Sequence, residues 1–251
     1  MRIALMSAML EEIEMLLPEL GPEVRTVSRG QRNYYLGHLG GREVVAVFSR
    51  WGKVAASATV THLITEFEVD ALLFSGVAGA LAPGLKVGDI VVGEEFLHHD
   101  LDARPIFKQF ETPLLGRSRF PADPELTRLL AAAAQAFAAE DLAASVGPDA
   151  LERFGLHAPA IHRGLIVSGD RFIASHEAAQ SLRDQVGDAL CVEMEGAAVA
   201  QICFEYGIPC AVLRVMSDSA DDAAPVDFLA FVSEVARNYS HGILLRALQA
   251  L

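Results

Sequence analysis

The chain alternates short apolar runs with stretches of helical periodicity. Apolar runs bounded by glycine, proline and polar residues predict strands, and apolar residues three and four positions apart predict helices. The predicted strands are 2–8, 33–39, 43–49, 71–74, 87–97, 161–168, 189–192 and 210–216. The predicted helices are 9–17, 53–67, 124–137, 139–154, 175–185, 195–206 and 228–248. Strands alternating with helices favour an α/β domain whose sheet is covered on both faces.

Three connections refine this pattern. Gly40-Gly41 separates strands 33–39 and 43–49 and readily supplies the positive φ angles of a tight hairpin turn, so the sheet is expected to be mixed. Strand 71–74 is expected to end at the small-residue turn 75–79. The proline-containing segment 100–123 predicts a long loop rather than a linker between domains.

Composition limits the class of protein. With 251 residues, 52% of them hydrophobic, the chain can bury one large core, so residues 1–251 are predicted to form a single domain. No run of about 18 apolar residues predicts a membrane span, and no signal peptide is visible. Three cysteines without a CxxC pair favour reduced thiols and a cytoplasmic location. A net charge of −13 argues against nucleic acid and favours a small neutral or zwitterionic ligand.

Polar residues follow four of the apolar runs, where ligands bind in open α/β sheets. They are Glu11-Glu12, the turn Gly76 to Gly79, Glu193-Met194-Glu195 and Ser217-Asp218. Converging carboxylates would give a pocket with acid and base capacity. Each group also has a purely structural interpretation. The glutamates 11, 12 and 14 could stabilise a helix dipole, Ser217-Asp218 could cap a helix or form a turn, and one of the glutamates 193 and 195 could be solvated.

Other candidate motifs are weak. Gly76-x-x-Gly79 lacks the three-glycine spacing of a dinucleotide loop. The segment 98–102, His-His-Asp-Leu-Asp, is the best candidate for a metal site, but neighbouring side chains on a strand point to opposite faces. Cys191 is followed by Val192 and is interpreted as a core residue rather than a nucleophile. We therefore expect neither a metal ion nor a dinucleotide cofactor.

Taken together, seven short motifs resemble the methylthioadenosine/S-adenosylhomocysteine nucleosidases, a family of the nucleoside phosphorylase superfamily. The resemblance runs in order along the chain and is weakest between residues 98 and 157. The motifs are Ala8-Met9-Leu10-Glu11-Glu12, Ser49-Arg50-Trp51-Gly52-Lys53, Ser75-Gly76-Val77-Ala78-Gly79, Val87-Gly88-Asp89-Ile90, Ser168-Gly169-Asp170-Arg171-Phe172, Glu193-Met194-Glu195 and Arg214-Val215-Met216-Ser217-Asp218.

The resemblance implies a single-domain α/β/α sandwich with a central twisted mixed sheet, no cofactor, and a homodimer that cleaves a small adenine nucleoside. It implies that Glu12 activates the attacking water, helped by Arg214, and that Asp218, oriented by Ser217, protonates adenine at N7. It also implies a set of substrate-binding residues: Trp51, Val77, Ala78, Gly79, Phe172, Ile173, Glu193, Met194 and Glu195. Within this set, Met194 and Glu195 would hold the ribose, Phe172 would stack on the purine, and the amide of Ile173 would bind its edge.

The chemistry calls for these residue types. Adenine is a poor leaving group as an anion, so a general acid is needed as the bond breaks, and the sugar develops oxocarbenium character as in glycoside hydrolysis. Two positions depart from the family pattern: Val77 replaces a usual serine, and Trp51 replaces a smaller apolar residue. We hypothesise that Trp51 narrows the space for the 5′ sulfur substituent. A phosphate-dependent nucleoside phosphorylase, a non-catalytic nucleoside-binding protein, and a futalosine-type substrate remain alternatives.

Overall fold

A computed structural model describes residues 1–218, 220 and 224–251. Within them, ten strands form one mixed sheet with helices on both faces. The strands are β1 (Arg2–Ser7), β2 (Arg25–Arg29), β3 (Arg32–Leu39), β4 (Arg42–Phe48), β5 (Ala71–Ala80), β6 (Ile90–His98), β7 (Arg119–Pro121), β8 (Ile161–Ser168), β9 (Ala189–Glu193) and β10 (Cys210–Asp218). The helices are α1 (Lys53–Thr65), α2 (Pro124–Glu140), α3 (Leu142–Val146), α4 (Pro148–Phe154), α5 (His176–Gln185), α6 (Gly196–Tyr206), α7 (Ala224–Phe231) and α8 (Arg237–Ala250).

The sheet combines a parallel centre with an antiparallel edge. Strand β1 pairs in parallel with β4 and β5, and β5 pairs in parallel with β10. The β3–β4 hairpin turns at Gly40 and Gly41, both with positive φ, as predicted. Because β10 also pairs with β6, the strands β5, β9, β8, β6 and β10 close on themselves. The carboxyl ends of several strands therefore meet around one opening.

Two large apolar clusters hold helices on the two faces of the sheet, and a third, smaller cluster holds α5 against β8 and β9. On one face, α2 and α8 bury Leu130, Phe137 and Ile243 against strand residues such as Leu5 and Leu73. On the other face, α1 and α6 pack on the side chains of β1 and β5 that point the opposite way. Each fully buried apolar side chain contributes roughly 1.5–3 kcal/mol relative to its exposed state. The α/β fold with helices on both faces of a mixed sheet is as expected.

Several boundaries differ from the predictions. The helix predicted over 9–17 is wrong: turns lead to a 3₁₀-helix, Leu17–Glu19. The carboxylate of Glu12 folds back to accept the amides of Ala8 and Met9, and this arrangement replaces a regular first helical turn. The strand predicted to end at 74 instead continues to Ala80, because its small residues pair with β10.

Further differences lie away from these two segments. The helix predicted over 139–154 is divided into α3 and α4 at Gly147-Pro148, where Gly147 has φ +83°. Strand β2 was not predicted because its sequence, RTVSR, is mostly exposed. The last predicted helix is interrupted by a π-helical turn, Val232–Ala236. Among the described residues, no helix is both long enough and apolar enough to cross a membrane.

Candidate active site

The strand ends surround a cavity of about 580 Å³, measured to its open mouth. All thirteen residues predicted for the site line this cavity. Its lining within the described residues is Ala8, Met9, Glu12, Trp51, Gly76, Val77, Ala78, Gly79, Arg171, Phe172, Ile173, Val192, Glu193, Met194, Glu195, Arg214, Ser217, Asp218 and Phe228.

Strand register explains how distant sequence motifs meet. Along the β5–β10 pair, Arg214 lies opposite Gly76 and Asp218 lies opposite Gly79. A Cβ atom on Gly76 would lie 3.0 Å from both Glu12 Oε1 and Arg214 Nη1. A Cβ atom on Gly79 would lie 3.0 Å from Asp218 Oδ1. The glycines in β5 therefore leave room for the charged side chains of neighbouring segments.

Glu12 is a buried carboxyl group with one free oxygen. Its Oε2 accepts the amides of Ala8 and Met9 at 3.0 and 2.9 Å, whereas Oε1 is buried without a hydrogen-bond partner among the described residues. Burial raises the pKa of Glu12 to about 7, although Arg214 and nearby backbone amides lower it. A carboxyl group with a pKa near neutrality and an available oxygen is suited to general acid–base work.

Glu193 and Arg214 form a buried ion pair beside Glu12. Arg214 Nη2 lies 2.6 Å from Glu193 Oε2, and the guanidinium carbon lies 4.0 Å from the centre of the Phe74 ring. Glu193 also accepts the hydroxyl of Ser168 and the amide of Gly196, so its oxygens are occupied by protein groups. Glu193 therefore holds Arg214 and the start of α6 in place.

Glu195 precedes α6 and is also buried, so the alternative in which one of the two glutamates is solvated is wrong. Its Oε1 accepts the amide of Gly52 at 2.7 Å. Burial and the neighbouring Glu193 raise its pKa to about 8, while Arg214 and the Gly52 amide lower it. The carboxyl group is thus held at the cavity wall by a residue more than a hundred positions away in sequence.

Ser217 and Asp218 are the last two residues of β10. The hydroxyl of Ser217 donates to Asp218 Oδ2 at 2.6 Å. The amide of Ala220 donates to Asp218 Oδ1 at 2.8 Å. These two bonds fix the orientation of a buried carboxyl group at the cavity.

Three aromatic side chains form the rim of the cavity: Trp51, Phe172 and Phe228. The ring of Phe228 lies edge-on to Trp51 at 5.8 Å and to Phe172 at 5.6 Å between centres. Phe172 remains 39% exposed and Trp51 49% exposed, so both present ring surface to the opening. Phe228 was predicted only as the start of a helix, and no sequence signal linked it to the site.

The remaining lining residues that were not predicted are Ala8, Met9, Gly76, Arg171 and Val192. Four of them belong to the seven motifs, and their positions next to Glu12, Val77 and Phe172 in sequence could have predicted that they line the cavity. The candidate metal segment 98–102 begins with a buried residue, His98, whose Nε2 lies 2.9 Å from Gln201 Oε1. Cys191 is fully buried with its pKa raised by burial, in keeping with a core residue.

Comparison with known proteins identifies relatives along the whole chain. A model of the phosphorylase superfamily matches residues 2–249. A 5′-methylthioadenosine/S-adenosylhomocysteine nucleosidase of Exiguobacterium is 34% identical over 95% of this chain and 94% of its own. An aminodeoxyfutalosine nucleosidase of Helicobacter pylori is also 34% identical, over 94% of this chain and 93% of its own.

Solved structures share the fold. A methylthioadenosine/S-adenosylhomocysteine nucleosidase of Neisseria meningitidis in complex with methylthio-immucillin-A has a TM-score of 0.86 and 34% identity, covering 100% of this chain and 99% of that one. The futalosine hydrolase of H. pylori has a TM-score of 0.84 and 31% identity, covering 100% and 98%. These relatives are nucleosidases, so the comparisons support a hydrolase of N-glycosidic bonds.

Proposed function

We propose that this chain hydrolyses 5′-methylthioadenosine, S-adenosylhomocysteine or both, because it belongs to the methylthioadenosine/S-adenosylhomocysteine nucleosidase family of the phosphorylase superfamily. Water replaces the purine at the anomeric carbon, and adenine and a thioribosyl sugar are released. The observation that carries this proposal is that Glu12 and Asp218 line one cavity. One carboxyl group would act as the base for water and the other as the acid for the leaving group.

In this proposal Glu12 activates the water. Its unpartnered Oε1 is the position from which a proton of water would be accepted, and the positive charge of Arg214 favours the ionised form of Glu12. Arg214 is itself held by Glu193, so it is in place before the substrate arrives. Water activated on one face of the sugar, opposite the leaving purine, predicts inversion at the anomeric carbon.

Asp218 is proposed to protonate adenine at N7 as the glycosidic bond breaks. The hydroxyl of Ser217 orients the carboxyl group, while the rim residue Phe172 stacks on the purine and the amide of Ile173 binds its edge. Stacking of a base on an aromatic side chain is worth roughly 1–3 kcal/mol. Glu195 and Met194 are proposed to hold the ribose, and Val77, Ala78 and Gly79 to form the floor.

Hydrolysis is favoured over phosphorolysis by the charges in the cavity. Among its described lining, four carboxyl groups face two arginines, and one of these, Arg214, is already paired with Glu193. A phosphate ion would lack the cluster of free cationic groups that binds it well. Adenine release from methylthioadenosine in phosphate-free buffer, with the free sugar as co-product, tests the proposal. A strict requirement for phosphate would reverse it.

The same assay separates the remaining alternatives. We propose to test methylthioadenosine, S-adenosylhomocysteine and aminodeoxyfutalosine side by side, since relatives of similar identity are named for each type of activity. Adenine release with the first two at the higher kcat/KM supports the proposed substrates. A preference for aminodeoxyfutalosine would instead indicate an aminodeoxyfutalosine nucleosidase. Binding without cleavage would support a nucleoside-binding protein.

The resemblance further leads us to propose a cytoplasmic homodimer in which residues 1–251 form a single nucleosidase domain. Light scattering coupled to gel filtration measures the mass directly, and a monomer would contradict this proposal.

A further inference from the structure

Helix α1 begins without a cap of its own. Gly52 precedes it, has no side chain to accept the first amides, and has φ +93°. Its first residue, Lys53, places a positive charge at the positive end of the helix dipole, where a cation is unfavourable. Another part of the molecule must therefore satisfy both the free amides and the charge.

Carboxylates from three other segments do so. The Gly52 amide donates to Glu195 Oε1 at 2.7 Å, and the Lys53 amide donates to Asp170 Oδ1 at 2.8 Å. The Lys53 ammonium lies 2.5 Å from Asp100 Oδ1 and 3.9 Å from Asp170 Oδ2. The Asp170 amide in turn donates to Asp100 Oδ2 at 2.9 Å. Lys53, Asp100 and Asp170 thus form one closed network, which we call the α1 clamp.

The clamp joins two segments that border the cavity to the start of the long loop. Asp170 immediately precedes Arg171, Phe172 and Ile173, which line the cavity. Asp100 lies where the long loop leaves β6, and Lys53 follows Trp51 and Gly52. An isolated surface ion pair contributes little, but these bonds share partners and fix three backbone segments relative to one another.

Gly52 shows how closely the clamp is built. A Cβ atom at this position would lie 3.0 Å from Asp170 Oδ1, so a side chain there would displace the carboxylate. The same residue donates the amide that holds Glu195. Movement of the start of α1 would therefore change the position of Glu195 and of Trp51 together.

We propose that Asp170 and Asp100 are positioning residues, which act through Lys53 to fix the start of α1 and thereby the Gly52 amide that binds Glu195. This inference uses the proposed nucleoside substrate for one of its measurements. The other measurement needs no substrate, because Trp51 is the only tryptophan in the chain and lies beside Gly52. Its fluorescence reports directly on this segment.

The first test compares Asp170→Ala, Asp170→Asn and Asp100→Asn with the unmodified protein. Asp170→Ala removes the acceptor for the Lys53 amide, and we expect acrylamide to quench Trp51 about twofold to threefold more efficiently, since capping losses free the first helical turn. Asp170→Asn keeps an acceptor oxygen, so Trp51 should remain mostly protected from acrylamide. Asp102→Asn is the matched control, because Asp102 pairs with Arg104 inside its own loop and does not reach the clamp. It should leave quenching unchanged.

The second test measures adenine release from methylthioadenosine. With Asp170→Ala we expect KM to rise about tenfold and kcat to change less than threefold, because ribose binding by Glu195 is weakened while Glu12 and Asp218 are untouched. Unchanged quenching and unchanged KM in both Asp170→Ala and Asp100→Asn, at wild-type melting temperature, would overturn the inference. If the unmodified protein cleaves no nucleoside, the proposed function fails, and the quenching result alone decides on the clamp.

Discussion

Glu12 and Asp218 divide the proposed chemistry between two buried carboxyl groups. We expect Glu12→Gln and Asp218→Asn each to lower kcat by about 10²- to 10⁴-fold, the usual contribution of a positioned acid or base. Binding of adenine, measured by calorimetry, should remain detectable in both variants. Glu11→Gln is the matched control, because Glu11 is the exposed neighbour of Glu12 and should retain normal turnover. A near-normal rate in either test variant would remove that residue from the mechanism.

The pKa of Glu12 predicts how activity depends on pH. Burial raises this pKa to about 7, and only the ionised form can accept a proton from water. Activity should therefore fall as the pH decreases through about 7, and it should rise again when the pH is restored. The measurement is kcat/KM for methylthioadenosine between pH 5 and 9, which reports on the free enzyme. A profile that stays flat down to pH 5 would show that no such group is required.

Trp51 is the residue expected to set the size of the 5′ substituent. It lines the cavity and its ring packs against Phe228, so its bulk occupies the rim rather than the surrounding solvent. We expect Trp51→Ile to increase the kcat/KM ratio of S-adenosylhomocysteine to methylthioadenosine about tenfold, the order of effect seen when pocket volume changes. The two substrates are assayed with the same enzyme sample, so folding losses cancel in the ratio. An unchanged ratio would contradict the hypothesis.

At the scale of elements, periodicity identified most strands and helices but not the segments shaped by the site. Apolar residues at 10, 13 and 16 have helical spacing, yet the carboxylate of Glu12 takes the amides of Ala8 and Met9 and the segment folds as turns. Likewise, the small residues at 75–79 suggested a turn, but they continue β5 because they pair with β10, and their small size leaves room for neighbouring charged side chains. Both differences depend on contacts between segments, which local pattern does not contain.

Strand β5 should tolerate substitution poorly where it passes beneath the charged groups. In Gly76→Ala the new methyl group would lie 3.0 Å from Glu12 Oε1 and Arg214 Nη1, so both side chains must shift. We expect kcat to fall about tenfold to a hundredfold, because small displacements of catalytic groups are costly. Gly187→Ala is the control, since its Cβ would meet Arg183 O at an ordinary 3.8 Å. Wild-type kcat in Gly76→Ala would contradict this role for the strand.

At the scale of the molecule, the sequence motifs predicted which residues share the cavity but not what holds them there. Family resemblance placed Glu12, Glu195 and Asp218 together, and strand ends made that placement reasonable in physical terms. Phe228 and the α1 clamp were not predicted, because their partners lie far away in sequence and nothing in the local pattern of Asp100 or Asp170 indicates Lys53. Such long-range contacts become visible only when the sheet is assembled.

Burying carboxyl groups around the cavity destabilises the folded state, and this destabilisation should depend on pH. The pKa values of Glu12 and Glu195 are raised to about 7 and about 8 by burial, from an ordinary value of 4.5. Between pH 4.5 and the raised pKa of each group, the folded protein binds more protons than the unfolded chain. The stabilising contribution of each group is therefore complete below about pH 4.5 and is lost as the pH rises through 7 and 8.

Glu12→Gln removes one of these two groups while keeping its size. Relative to the unmodified protein, the variant should gain about 2 kcal/mol of stability as the pH rises from 5.5 to 8.5, even though it loses activity. Urea denaturation at the two pH values measures the free energy of unfolding of both proteins, with Glu11→Gln as the control. Parallel changes with pH in all three proteins would mean that Glu12 is already ionised without cost at neutral pH. In that case the pKa of Glu12 would be lower and its carboxylate a weaker base than predicted. The reason is that the same burial both destabilises the fold and raises this pKa toward neutrality.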